Sequence, residues 1–534
     1  MEKRLILAIA LSVLVILGFQ FLFPSPRKAG NVQQDLPGEP AVASLKEPLP
    51  ETKDFAPLPE EPTEKETYVE TEKYILTFTN IGGSIKSIKL KEYQDKDSAT
   101  PFVLVSDAAA GKAIFSVTSS VLINSLEERR FELAEKQHNK LVYTYEIPGK
   151  FRISKIYYFN NTNYYIDLQL LIENLQNTTI YKDYDLLGGS CLSSSEISMG
   201  RRLLEIDSMV NGKVTRDKSV KNGESFIQGI VSWTGLKERY FCIILKPGQN
   251  SAGVVLKQFD KDSVASGIRS ERAPIYPSGT SQDSYMLYAG PINAAILRGL
   301  DPEFAAIVDY GMFGGITKFL LLILHTFHKL TKNWGVAIIM LTLLINLGLF
   351  PLTKKSFQSM KKIQEVQPHI EKLRQVHKDN PQRMNKELAE LYKKYQINPF
   401  GGCLPLILQM PIFVALYQGL MRSIELKGAN FLWIKDLSQP DIIKIPFQLP
   451  IIGSKIHLLP ILMIIAMVFQ QKITSKYTPA TTNEQKQQQK LMLIIFPIFF
   501  GFLFYNFPSG LVIYWFTNTL LMTVEQATMR RAHK

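Results

Sequence analysis

Cysteine is scarce: Cys191, Cys242 and Cys403 are the three in 534 residues, and no Cys-x-x-Cys pair occurs. That excludes a disulfide-stapled scaffold and a cysteine-built zinc site. Cys191 and Cys242 could pair on one side of a membrane, but ordinary buried thiols are the expectation. Histidine is as sparse. His138 stands alone between residues 67 and 300, so a carbohydrate enzyme built on a histidine and a carboxylate finds no support there. His325 and His328 sit three apart without a cysteine or carboxylate ligand beside them, so no metal is expected. Also missing are Gly-x-x-x-x-Gly-Lys-[Ser/Thr], His-Glu-x-x-His, Gly-x-Ser-x-Gly and a dinucleotide fingerprint. Ser509, in Phe-Pro-Ser-Gly, reads as turn chemistry. The chain is therefore expected to be no enzyme and to need no cofactor or small-molecule substrate, drawing energy from the partitioning of a cargo or from an external motor.

What is present is apolar and unevenly spread. The 46% hydrophobic and 20% charged residues give a mean hydropathy of +0.01, which averages a polar region with long apolar runs. Lys3 and Arg4 precede an apolar run from Leu5 to Phe23, the length of a bilayer span without an Ala-x-Ala-like cleavage site, so residues 1–23 read as an uncleaved transmembrane anchor. Residues 24–66 carry nine prolines among acidic and small residues and read as an extended linker. From 67 to 303 the period is two: Leu141, Tyr143, Tyr145 and Ile147 alternate, as do Ile166, Leu168, Leu170 and Ile172, with turns at 160–163 and at Gly82-Gly83. This predicts one large all-β sandwich domain. Within 304–332 the period becomes helical, with Ile316, Phe319, Leu320, Ile323, Leu324 and Phe327 on one face, predicting an amphipathic helix lying on a bilayer.

Residues 333–534 hold five further apolar segments, roughly 334–351, 403–421, 456–471, 491–505 and 511–526. Between 354 and 400 stand eleven Lys and Arg against five acids, and Lys472, Lys476, Lys486, Lys490, Arg530, Arg531 and Lys534 fall in the other connections that would share that side. The positive-inside rule makes these cytoplasmic. Six spans with both termini inside then put the β domain outside, in the periplasm of a bacterial inner membrane, where the net charge of +13 points to lipid rather than nucleic acid.

Two features could carry function. The basic stretch 354–400 repeats Phe357, Met360, Ile363, Val366, Ile370, Leu373 and Val376, breaks at Asp379-Asn380-Pro381, and resumes with Met384, Leu388, Leu391 and Tyr395. It predicts a helical hairpin whose lysines and arginines, Lys361, Lys362, Lys372, Arg374, Lys393 and Lys394, would meet a ribosome or nascent chain. Polar residues within the spans are the second feature. Thr342, Asn346, Gln409, Gln470, Gln471, Thr517, Asn518, Glu525 and Gln526 all fall toward the cytoplasmic side. Each costs free energy in hydrocarbon and faces a neighbouring helix or a cavity. Their common depth predicts a hydrated recess open to the cytoplasm and closed toward the other face, where a through-channel would need polar lining at both ends.

The motifs Asn333-Trp334-Gly335, Phe350-Pro351-Leu352-Thr353-Lys354, Asn398-Pro399-Phe400-Gly401-Gly402-Cys403-Leu404-Pro405, Gln409-Met410-Pro411-Ile412-Phe413 and Phe507-Pro508-Ser509-Gly510-Leu511 resemble YidC insertases. Gly235-Leu236-Lys237-Glu238-Arg239-Tyr240-Phe241 and Val308-Asp309-Tyr310-Gly311 resemble the Gram-negative form, so the likeness runs over nearly the whole chain. It implies a five-helix insertase core with a hydrophilic groove open to cytoplasm and lipid, and a periplasmic β-supersandwich similar to sugar mutarotases. It implies nascent membrane proteins, the ribosome, the Sec translocon and membrane lipids as partners, and Thr342, Tyr514 and Trp515 as groove residues. Where the family carries an arginine four residues after the threonine of the second span, this chain has Asn346, which keeps hydrogen bonding but carries no charge. A translocon-dependent folding chaperone is the alternative; a secondary transporter would need an internal repeat and broken helices at the midplane, and the sequence has neither.

Overall fold

The structure, a computed structural model, describes residues 64–94, 100–106, 112–119, 121–123, 125–189, 204–217, 220, 223–260, 263–377, 380–397, 404–449, 453–475 and 483–531. The expected anchor 1–23, most of the linker, Cys191, Cys403 and the motif 398–403 lie outside the described residues; Cys242 is a buried free thiol.

From Glu66 to Pro291 the regular structure of the described chain is β-strand apart from a 3-10 turn at Leu126–Glu128, arranged in antiparallel sheets of four, five and nine strands together with a two-stranded pair. The largest runs in the order Lys213–Asp217, Glu205–Val210, Val231–Lys237, Phe241–Pro247, Thr280–Pro291, Tyr165–Asn174, Phe151–Phe159, Lys140–Ile147 and Glu132–Lys136. An all-β domain is present, its strands ending at Pro291 and helix taking over from Ala294, short of the expected boundary at 303, and the two alternating segments are the strands Lys140–Ile147 and Tyr165–Asn174. The Asn160 carboxamide makes the 160–163 turn, accepting from the N–H groups of Thr162 (2.9 Å) and Asn163 (2.8 Å). Inward residues of the sheets, among them Tyr74, Phe78, Tyr157, Trp233, Phe241 and Tyr288, form one buried apolar cluster.

Alternation along Phe151–Phe159 turns Phe151, Ile153, Lys155, Tyr157 and Phe159 inward, so a lysine enters the core. Its Nζ donates to the carbonyls of Gly82 and Phe115, each at 2.6 Å, and lies 5.3 Å from the centre of the Phe131 ring. The Tyr157 hydroxyl donates to the Gly83 carbonyl at 2.5 Å. Both glycines have positive φ (66° and 54°), and a Cβ on Gly83 would stand 3.0 Å from that of Tyr143, so this buried turn requires glycine on both counts. Burial pushes the Lys155 ammonium down to about 7. A solvated lysine titrates near 10.4, so between these values the unfolded chain binds more protons and stability rises with pH. The melting temperature of the β domain is expected to climb from pH 7 to pH 9 in the native chain and to stay flat across that range in Lys155→Met; an equal climb in the variant would assign it to another group.

After the sheets come helix α1 (Ala294–Leu300), a 3-10 turn (Pro302–Ile307) and helix α2 (Gly314–Thr331). The amphipathic helix expected within 304–332 is therefore shorter than that interval. Asp301 caps the 3-10 turn, accepting from the Glu303 N–H at 2.8 Å, and Gly311 at φ 74° redirects the chain before α2 begins. Leu320 and Leu324 are buried and α2 packs on the helices Trp334–Val376 and Leu404–Arg422, whereas Phe319 and Leu322 remain 61% and 66% exposed. The helix has an inward and an outward apolar face, not the single one that its spacing suggested.

Helix α3 runs from Trp334 to Val376 and continues through Pro351 and Pro368. A span ending at Pro351 was the expectation. Proline removes one N–H and strains the preceding turn, but Thr353 donates to the Leu349 carbonyl at 3.1 Å and the following lysines and glutamines favour helix. At about 1.5 Å per residue the 43-residue helix is roughly 65 Å long, twice the ~30 Å hydrocarbon core, so the apolar segment and the first helix of the basic stretch are one rod. Helix α4 (Pro381–Lys394) starts at the expected break, with the Asn380 side chain accepting from the Arg383 N–H at 3.1 Å. Val366, Ile370 and Ile397 are buried in the seam, with Ile363, Leu388, Leu391 and Tyr392 against them. Val376 and Tyr395, both expected on that seam, are exposed (73% and 40%).

Helices α5 (Leu404–Arg422), α6 (Leu458–Ser475), α7 (Asn483–Phe504) and α8 (Ser509–Arg531) complete the described chain, with a β-hairpin of Ile443–Leu449 and Gly453–Ile456 before α6 that the hydropathy pattern did not announce. Two described helices are long and apolar enough to cross a bilayer, Trp334–Leu373 and Leu458–Ser475, and Leu493–Phe504 is a shorter apolar helix.

Candidate functional site

Helix α8 touches α3, α5 and α6. Tyr514 and Asn518, four residues apart, and Gln526, eight residues further on, divide among those neighbours. The Asn346 amide on α3 donates to the Asn518 carboxamide oxygen at 2.9 Å and to the Thr342 carbonyl at 2.8 Å. Gln409 on α5 donates to the Tyr514 hydroxyl. On α6 the Thr474 hydroxyl reaches the Gln526 carboxamide oxygen at 3.0 Å and the Gln470 carbonyl at 3.1 Å. A single helix thus bonds through side chains to each of three others.

Thr342, Asn346, Tyr514, Asn518 and Gln526 are buried; Gln409, Gln470, Gln471, Trp515, Thr517 and Glu525 are half-buried. Thr342 donates back to the Ile338 carbonyl at 2.7 Å, as Thr519 does to Trp515 (2.9 Å) and Thr523 to Thr519 (2.6 Å). Trp515 stands among Phe413, Phe500 and Phe504, with ring centres 4.8, 5.7 and 5.3 Å away. Of the predicted residues, Asn346 meets Asn518 and Gln409 meets Tyr514 across helix contacts, whereas Gln526 meets Thr474, Gln470 contributes only its carbonyl and Thr342 bonds within its own helix. Such bonds in hydrocarbon contribute only about 0.6–1.7 kcal/mol each. Thr474 was missed by sequence reading; its position four residues after Gln470 was the available signal.

On the hairpin, Lys361, Lys362, Lys372, Lys393 and Lys394 are exposed, while the Arg374 side chain lies outside the described residues. Glu387 joins His377 (2.9 Å) and Arg383 (3.1 Å) across the turn. His325 lies 3.7 Å from Glu425, a carboxylate brought from a distant part of the chain, yet among the described residues no group of three or more His, Cys, Asp or Glu could hold a metal.

The β domain is fastened to the helices. Arg239 donates to the carbonyls of Met421 (2.6 Å) and Ser438 (3.3 Å), and the Lys427 ammonium lies over the rings of Phe102 (4.4 Å) and Phe241 (5.1 Å). Beneath this joint Lys237 forms buried ion pairs with Asp207 (2.6 Å) and Glu205 (3.3 Å) and donates to the Ile307 carbonyl at 3.2 Å.

Residues 326–534 match the family described as 60Kd inner membrane protein, and residues 66–323 match the YidC periplasmic domain. The chain is 33% identical to the membrane protein insertase YidC of Pelobacter propionicus, over 98% of each chain. It is 31% identical to the protein of the same name from Geotalea daltonii, over 100% of this chain and 99% of that one. A crystal structure described as an active YidC insertase with its first transmembrane domain resolved is 19% identical and superposes with a TM-score of 0.37, covering 87% of this chain and 92% of its own.

Proposed function

Since this chain belongs to the YidC family of membrane protein insertases, we propose that it lets newly made membrane segments into lipid by exchanging the hydrogen bonds of α8 for bonds to the segment's polar flank. It is a membrane protein insertase with a periplasmic β domain and a helical membrane core. The relatives are named as insertases and not as enzymes, in keeping with a function that needs no bond-making chemistry.

The full topology belongs to this reading: six spans, a five-helix core of α3 and α5 to α8, both termini cytoplasmic. The charge distribution supports it, because 354–400 is the most basic connection. In the mechanism a hydrophobic segment meets the exposed lysines of the hairpin, which are suited to ribosomal RNA or a nascent chain. Its polar flank then competes for Asn346, Asn518, Gln409 and Gln526. Each native bond there is weak, so opening one contact at a time costs little. The segment moves sideways into lipid, driven by burial of about 20 apolar residues without nucleotide. The Sec translocon would act beside this path and not within it.

The observation that carries the proposal is that α8 bonds through side chains to three helices at once. The test is insertion of a short single-span substrate into proteoliposomes holding only this protein, scored by protease protection. Protection above that of empty liposomes is expected. Protection only when the translocon is added would replace the proposal with an accessory chaperone.

A further inference from the structure

A cavity of about 580 Å³ opens where α1, α2 and the C-terminal end of α5 converge, away from the polar contacts of α8. Its wall carries three cations, Arg298, Lys318 and Arg422, and two carboxylates, Asp309 and Glu425. The carboxylates are already engaged. Asp309 pairs with Arg422 at 2.5 Å and accepts from the Gly311 N–H at 2.9 Å, while Glu425 accepts from the Asn293 amide at 3.0 Å and faces His325. Arg298 and Lys318 are exposed and have no carboxylate partner among the described residues; the Lys318 ammonium lies only over the Tyr310 ring, 4.9 Å from its centre. The cavity also contains Gln418, whose Oε1 is buried with no hydrogen-bond partner, so an acceptor accompanies the free cations. Leu321 and Leu322 form an apolar wall, and exposed Leu322 and Phe319 extend it along the outer face of α2.

We propose that this cavity binds the headgroup of an anionic, hydroxyl-bearing phospholipid such as phosphatidylglycerol, from the leaflet on the β-domain side of the membrane. The phosphodiester would lie between Arg298 and Lys318, a headgroup hydroxyl would supply the donor that Gln418 lacks, and the acyl chains would follow Leu322 and Phe319. A soluble phosphate ester satisfies the cations but leaves that apolar path exposed, so charge and apolar surface together favour a lipid. The assignment of leaflet rests on the topology proposed above.

The test uses the full chain purified in detergent and native mass spectrometry with phosphatidylglycerol or phosphatidylcholine of identical acyl chains. Preferential retention of phosphatidylglycerol, reduced on the order of tenfold in the Arg298→Ala, Lys318→Ala double variant, is expected. The charge-conserving Arg298→Lys, Lys318→Arg pair should retain most of it, which separates charge from folding. Equal retention by native chain and double variant, or no preference for phosphatidylglycerol, would overturn the inference. Complete displacement by excess glycerol phosphate would overturn the lipid assignment in favour of a soluble ester. The same preparations are assayed for insertion in phosphatidylcholine liposomes: insertion without lipid preference defeats this inference alone, and lipid preference without insertion defeats the insertase mechanism alone.

Discussion

Lys237→Ala is expected to destabilise the β domain by about 3–5 kcal/mol, the cost of leaving a buried ion pair with one partner. Asp207 and Glu205 are both buried, and Lys237 is the cation within 2.6 and 3.3 Å of them. Arg216 approaches Asp207 only at 3.4 Å from a more exposed position. Desolvation already raises the Asp207 carboxyl above the usual range despite Lys237 and Arg216. A raised folded-state value means that the ionised form is the costly one, with the cost growing as pH rises through that value. Loss of Lys237 raises it further, so the defect should be largest at neutral pH and shrink on acidification toward the ordinary aspartate range. Hydrogen exchange at Glu205–Val210 and Val231–Lys237 in the full chain reads this directly. Protection unchanged at neutral pH would remove the ion pair from the account of domain stability. Combining Lys237→Met with Asp207→Leu and Glu205→Gln should recover most of the loss, because neither carboxylate that Lys237 holds is then left charged without it.

The second large effect is on function. Asn346→Leu removes two hydrogen bonds and leaves the Asn518 carboxamide oxygen without its donor at the contact of α3 with α8. At about 0.6–1.7 kcal/mol per bond in a membrane, and 1.4 kcal/mol per factor of ten, insertion in proteoliposomes is expected to fall on the order of tenfold. Asn346→Arg should insert as well as the native chain, because a guanidinium still donates to Asn518. A leucine variant that inserts normally, with its thermal stability unchanged, would show that this polar contact serves packing alone. Loss in the arginine variant as well would mean that shape at the contact matters more than hydration.

Much of this architecture was legible because it is written in local patterns. Alternation named the strands Lys140–Ile147 and Tyr165–Asn174, and Asn380-Pro381 marked the start of α4, since side-chain direction and capping depend on neighbours along the chain. The same local reasoning did not say whether the apolar segment ending at Pro351 and the basic stretch after it form one helix. There the helix continues because the residues on both sides favour it, and one missing N–H does not decide a 43-residue element. It also missed the inward and outward faces of α2, because which apolar residues are covered depends on where α3 and α5 lie.

The sequence by itself determined the division into an outer β domain and a membrane helical core, the basic hairpin and the identity of the polar residues, because hydropathy period and charge are properties of consecutive residues. Only the tertiary structure decided that Asn346 meets Asn518, Gln409 meets Tyr514 and Thr474 meets Gln526, that Lys155 enters a core and binds two carbonyls, and that Arg298 and Lys318 share a cavity. A hydrogen bond requires atoms within about 3 Å, and bringing residues from distant parts of the chain that close depends on helix rotation, depth and strand register, which no single segment encodes.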